Sequence, residues 1–156
     1  MRDDIKSIVA ETKLAVERKI ALFNRFLARE HELNTFLKTD FDNEPLLIME
    51  SEDDIIGEIN IQDYIIAGLN DEFRKKTGKN LSTADLSQYP DDDGTLTELE
   101  KFRKDEKALV AKISTLRKAN NELMESIKKE ILSDAGELKR MRELNINYTK
   151  DSRSSF

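Results

Sequence analysis

The carboxylates between Tyr89 and Glu100 have the spacing that comes nearest to a ligand-binding site in this sequence. Asp91, Asp93 and Glu100 occupy positions that supply oxygen ligands in a twelve-residue calcium-binding loop. The first ligand position is Tyr89, which supplies no carboxylate, and residues 79–88 lack the pattern of an entering helix. We therefore expect these acids to place negative charge at a helix N-terminus. We predict no metal site.

Histidine and cysteine chemistry is equally limited. His31 is the single histidine, and it lies among charged residues on the polar side of a predicted helix. Acid–base catalysis needs a second positioned group, and a carboxylate di-metal site in a bundle needs a histidine on each of two helices. With no cysteine, thiolate nucleophiles, thiolate metal ligands and disulfides are excluded. We predict no catalytic residues, no cofactor and no enzymatic activity.

Composition narrows the classes of partner. The chain has 156 residues, 37% of them charged, and a net charge of −6, which argues against nucleic acid as a partner. No apolar run is long enough to span a bilayer, and the acidic balance argues against a stable hold on anionic lipid. The N-terminal residues carry acids where a signal peptide would carry cations. We expect a cytoplasmic protein without stable membrane insertion.

Apolar periodicity predicts three helices, at about 4–38, 44–77 and 95–144. The fold class is all-α, an elongated antiparallel three-helix bundle or coiled coil with a long C-terminal helix. Residues 1–144 form one helical domain in this interpretation, and residues 145–156 form a flexible C-terminal tail. A capping-box pattern at Thr95 and Glu98 starts the long helix.

Two apolar stripes organise the predicted packing. The stripe of the first helix repeats closer to every eleven residues than every seven, which favours a straight helix. Its members are Ile5, Val9, Thr12, Val16, Ile20, Phe23 and Leu27. The long helix instead has a heptad seam, interrupted by the polar residues Glu106 and Asn120. Its apolar members are Leu99, Phe102, Leu109, Ile113, Leu116, Leu123 and Ile127.

Beyond Ile127 the apolar residues step by fours and the stripe shifts around the helix, as in a heptad stutter. Either this segment packs in the core or it is a docking surface for another amphipathic helix, which needs only an i, i+3, i+4 apolar face. Two alternatives also remain for Asn120: it fixes the register or the choice of partner on the seam, or it faces water.

The whole pattern resembles the FlgN-type flagellar export chaperones, most clearly at residues 50–59 (ESEDDIIGEI) and 147–156 (NYTKDSRSSF). The resemblance implies transient binding to a membrane export-gate protein, through a tyrosine that corresponds to Tyr148. It also implies that the last helix binds the C-terminal helices of hook-filament junction proteins and prevents their premature assembly. By position, the client-binding residues would be Ile127, Ile131, Leu132, Leu138, Met141 and Leu144.

The main alternative is a structural coiled-coil adaptor or subunit. In this hypothesis the chain dimerises through the long helix from Leu99 to Ile127, with Asn120 setting the register.

Overall fold

The protein is all-α in the computed structural model, as the sequence predicts. The structure describes residues 3–39, 44–81, 86–91 and 93–154, with the side chains of 44, 87 and 145–154 outside the description. Helix α1 spans Asp3–Thr39, α2 spans Glu44–Thr77 and α3 spans Thr95–Ser154. A short 3-10 turn, Leu86–Gln88, lies between α2 and α3. No strand occurs within these ranges.

Helix α3 ends later than the apolar pattern predicts, at Ser154 instead of about Leu144. The sequence after Gly136 contains no glycine or proline. Asn, Thr and Ser disfavour a helix by at most about 0.7 kcal/mol each, so polar composition alone does not end one. Tail flexibility at 145–156 stays a prediction.

Ion pairs show that α1 and α2 run antiparallel. Lys76 Nζ lies 2.9 Å from Asp4 Oδ2 at one end of the pair of helices. Farther along, Arg25 lies 3.4 Å from Glu58. Residue numbers thus rise along α1 as they fall along α2, as in a helical hairpin.

Helix α3 runs parallel to α1, within the unit that ends at Arg117. Lys13 pairs with Glu98 near the start of α3, and Glu30 pairs with Arg117 farther along both helices. Since both residue numbers rise together, the bundle has an up, down, up topology.

Among the described residues, two apolar clusters lie in the core, and all three helices contribute to each. The first also takes Leu81 and Leu86 from the connection between α2 and α3. Its helical members are Ile5, Ile8, Val9, Val16, Leu69, Phe73, Leu96 and Leu99. The second contains Phe26, Ile55, Ile59, Leu109 and Ile113.

The buried positions of α1 repeat every seven residues as well as every eleven, so the predicted eleven-residue stripe is compatible with the core. Steps of seven from Ile5 pass through Thr12, Lys19, Phe26 and Leu33, and all five side chains are buried. Two charged residues, Lys19 and Glu30, are buried in this core. Because they are not apolar, the apolar residues alone do not show the seven-residue repeat.

Contacts within the chain group into two units, Met1–Arg117 and Lys118–Phe156. The first contains α1, α2 and the first part of α3. The second is the C-terminal part of α3. Within the described residues, no helix combines the length and the apolarity needed to cross a bilayer.

Candidate helix-binding surface

The seam of α3 starts as part of the bundle core. Leu99, Leu109 and Ile113 are buried there, and each belongs to a cluster shared with α1 and α2. These apolar side chains already have intramolecular partners. The part of the seam from Leu99 to Ile113 is therefore occupied within a single copy of the chain.

The same helix exposes its apolar residues farther along. Ile127 is half-buried, whereas the five predicted client-binding residues after it are between 51% and 68% exposed. These five are Ile131, Leu132, Leu138, Met141 and Leu144. A run of large apolar side chains on a solvated helix is unusual unless another molecule covers it.

Helical geometry brings four of the six predicted residues onto one face. At 100° per residue, Ile127, Ile131, Leu138 and Met141 lie within a sector of about 80°. We call these four residues the C-terminal stripe; at about 1.5 Å per residue it is about 21 Å long. Leu144 lies about 60° beyond one edge of the stripe, and Leu132 lies about 100° beyond the other edge.

The structure tests the prediction for Asn120 but not the one for Tyr148. Asn120 is fully buried, so of the two alternatives for this residue the water-facing one is wrong. Tyr148 lies on the helical backbone of α3, but its side chain is outside the described residues. Its role in docking to an export gate stays a prediction.

A buried lysine fixes the position of α3 in the bundle. Lys19 Nζ lies 2.6 Å from Asp63 Oδ1 of α2 and 2.5 Å from Glu106 Oε1 of α3. Burial alone lowers the pKa of Lys19, but hydrogen bonds from Lys19 to these two carboxylates raise it above its ordinary value. Lys19 therefore stays charged and joins three helices through one ammonium group.

A second buried charge cluster joins the same three helices near the end of the bundle unit. Burial, together with a hydrogen bond to the carboxyl group of Glu30, raises the pKa of Glu52 to about 8. Arg117 Nε lies 3.6 Å from Glu30 Oε1, and its guanidinium lies over the ring of Phe26. The raised pKa keeps Glu52 protonated at neutral pH, so that its carboxyl group can donate a hydrogen bond to Glu30.

The acidic loop before α3 caps that helix. Asp91 accepts hydrogen bonds from the backbone N–H groups of Leu96 and Thr97, at 2.9 and 3.2 Å, and Asp93 accepts one from the N–H of Thr95. Hydrogen bonds from the side chains of Thr97 and Thr95 are the main reason that the pKa of each aspartate is lowered. The cap is thus formed by the carboxylates before the helix, and these two acids act at the helix N-terminus as the sequence predicts.

Sequence reasoning missed the buried charges and the core residues of the connection. Lys19, Glu30 and Glu52 carry charges that ordinarily mark a solvated face. The sequence signal that could have predicted burial of Lys19 is its position two seven-residue steps after Ile5. Leu81 and Leu86 lie in a segment with no helical period, so no pattern predicted their burial.

Comparisons with protein-family models, with curated proteins and with solved structures found no match for this chain.

Proposed function

We propose that this protein is a helix-binding chaperone without catalytic activity, whose C-terminal stripe holds an amphipathic helix of a client. In its specific form, suggested by the resemblance to FlgN-type chaperones, the clients are hook-filament junction proteins. Their C-terminal helices are held in the cytoplasm, kept from premature assembly and delivered to a membrane export gate.

One observation carries the proposal: the seam that fills the core at Leu99 and Ile113 continues along α3 as exposed residues from Ile131 onward. An apolar face of this spacing fits the helix-in-groove type of recognition. Binding and release through such a face need no ATP, because the bound client simply exchanges with its assembly partner.

The experiment is calorimetric titration of the full chain with the C-terminal helical segment of a hook-filament junction protein from the same organism. We expect one-to-one binding of about micromolar affinity or tighter. Leu138→Asp places a charge in the middle of the C-terminal stripe and should weaken binding by about tenfold or more. Leu132→Asp, about 100° around the helix from the nearest stripe residue, should have a smaller effect.

Val110→Asp is the matched control, because Val110 is an exposed apolar residue of α3 within the bundle unit. Its affinity for the segment should equal that of the wild type. Absence of binding by the wild-type chain over several temperatures would rule out this client class. Equal losses for Val110→Asp and Leu138→Asp would rule out the C-terminal stripe as the site.

The second candidate is the coiled-coil subunit that dimerises through α3. Since Leu99, Leu109 and Ile113 are buried in the bundle, such a dimer would have to use the C-terminal stripe instead of the whole predicted seam. A melting temperature that rises with protein concentration, and loses this dependence in Leu138→Asp, would favour the dimer.

A further inference from the structure

Helix α2 has a second exposed apolar surface, far in sequence from the C-terminal stripe. Ile61 is 59% exposed and Tyr64 is 82% exposed, with Leu46, Leu47 and Ile65 exposed on the same helix. Tyr64 and Ile65 follow Ile61 at i+3 and i+4, so the three side chains form one patch. Nothing in the proposed client-binding role uses this patch.

These residues belong to one continuous face. Steps of three and four from Leu47 pass through Glu50, Asp54, Glu58, Ile61 and Ile65, and all six side chains are exposed. We call these six residues the outer face of α2; at about 1.5 Å per residue it is about 27 Å long. The core residues Ile55, Ile59 and Phe73 lie about 100° to 140° around the helix from the middle of this face. A helix of about 18 residues would match this length.

The charge of this face is of one sign. Residues 44–73 contain nine acidic residues and no basic residue. Arg25 of α1 pairs with Glu58 at one edge, whereas Glu50 and Asp54 have no ion-pair partner among the described residues. Acids between exposed apolar residues attract a cationic partner and repel an acidic one or an anionic lipid surface.

Two glycines leave the outer side of α2 bare. A Cβ atom added at Gly57 or Gly68 would meet no atom within 4 Å, so the fold does not require glycine at either position. Each costs the helix about 1 kcal/mol relative to alanine. Both lie on the same side of the helix as Ile61, where a missing side chain lets another helix approach closely.

We propose that the outer face of α2 binds a basic amphipathic helix of another protein. The partner's apolar residues pack on Leu47, Ile61 and Ile65, and its lysines or arginines face Glu50 and Asp54. This site is separate from the C-terminal stripe and does not depend on the function proposed for that stripe.

The test uses two synthetic 18-residue amphipathic peptides of identical leucine pattern, one with lysine and one with glutamate at the polar positions. Affinity for the full chain is measured by fluorescence anisotropy at low and at moderate salt. We expect the lysine peptide to bind, with affinity that falls as salt rises, and the glutamate peptide not to bind. NMR shift changes should lie in residues 46–65.

Two double variants separate the apolar and the electrostatic contributions. Ile61→Ser with Ile65→Ser should weaken lysine-peptide binding by about tenfold or more. Glu50→Gln with Asp54→Asn should weaken it severalfold and reduce its salt dependence. Far-UV circular dichroism verifies that each variant remains folded.

Val110→Ser, at an exposed apolar position of α3 outside both proposed surfaces, is the matched control and should leave lysine-peptide affinity unchanged. The proposal is overturned if both peptides bind equally, if neither binds, or if Val110→Ser loses as much affinity as the α2 variants. It is also overturned if sedimentation shows that the wild type self-associates and that Ile61→Ser with Ile65→Ser abolishes this, because the occupant is then a second copy.

Discussion

Lys19 occupies a position that an apolar side chain ordinarily takes in a helical core. The residue is 8% exposed, and its ammonium group is held between carboxylates from two other helices. A buried cluster of charges adds little net stability compared with a well-packed apolar core. Removing one charged group from the cluster, however, leaves the opposite charges without compensation. Its contribution is to the relative register of the three helices.

We predict that Lys19→Met destabilises the protein by about 1–3 kcal/mol, because Asp63 and Glu106 lose their shared cation while the side-chain volume is kept. Lys76→Met removes an exposed pair with Asp4 and should cost less than about 1 kcal/mol. Urea unfolding at neutral pH measures both. Equal and small decreases in the free energy of unfolding for both variants would show that burial of Lys19 has no energetic consequence.

Glu52 gives the bundle a pH dependence of definite sign. Its pKa is about 8 in the folded protein against an ordinary value of 4.5, so between these limits the folded chain holds a proton that the unfolded chain has lost. The free energy of unfolding should therefore fall as pH rises through this range. The groups acting on this carboxyl are Glu30, Arg117 and Asp53.

We predict that Glu52→Gln removes much of this slope and is more stable than the wild type by about 1–3 kcal/mol near pH 8.5, since it cannot ionise. Near pH 5 the two proteins should have similar stabilities. Urea unfolding at both pH values is the measurement. Glu50→Gln, at an exposed position of the same helix, should keep the wild-type slope; a slope unchanged in Glu52→Gln would assign the pH dependence to other groups.

At the scale of elements, glycines in α2 and after it have opposite effects. Gly57 and Gly68 lie inside the helix with open space around them, whereas Gly78 follows its last residue with a φ of 74°. The N–H of Gly78 donates to the carbonyl of Arg74, at 2.7 Å, which completes the helix end. Helix α2 thus has a well-formed C-terminus and a weakened middle.

We predict that Gly57→Ala and Gly68→Ala each stabilise the protein by up to about 1 kcal/mol. Gly78→Ala should destabilise it by about 1–2 kcal/mol, because an alanine is strained in the left-handed conformation. Thermal unfolding of the three variants gives the comparison. Melting temperatures that shift in the same direction for Gly57→Ala and Gly78→Ala would contradict the opposite roles given to these two glycines.

At the scale of the whole molecule, three helices, their order and most of the apolar core follow from periodicity. Ile5, Val9 and Leu99 are buried where the stripes place them. The charged core positions could not be predicted, because the stability of a buried Lys19 depends on carboxylates from two other helices. The end of α3 was also missed, since only apolar residues marked the predicted helix.

Exposure of the C-terminal stripe could be anticipated only in part. Periodicity gives the shared face of Ile131, Leu138 and Met141, whereas spacing alone does not say whether other residues of the folded chain cover that face. The outer face of α2 was not predicted either, because its apolar residues alternate with acids and resemble an ordinary solvated side.

The parallel arrangement of α1 and α3 has a consequence for folding kinetics. The contact between Lys19 and Glu106 joins residues 87 positions apart, whereas α1 and α2 pair across a short connection. Closing the longer loop costs more chain entropy, so the α1 and α2 hairpin should form first and α3 should dock on it. In stopped-flow refolding, Ile55→Val should then mainly slow folding, and Ile113→Val should mainly accelerate unfolding.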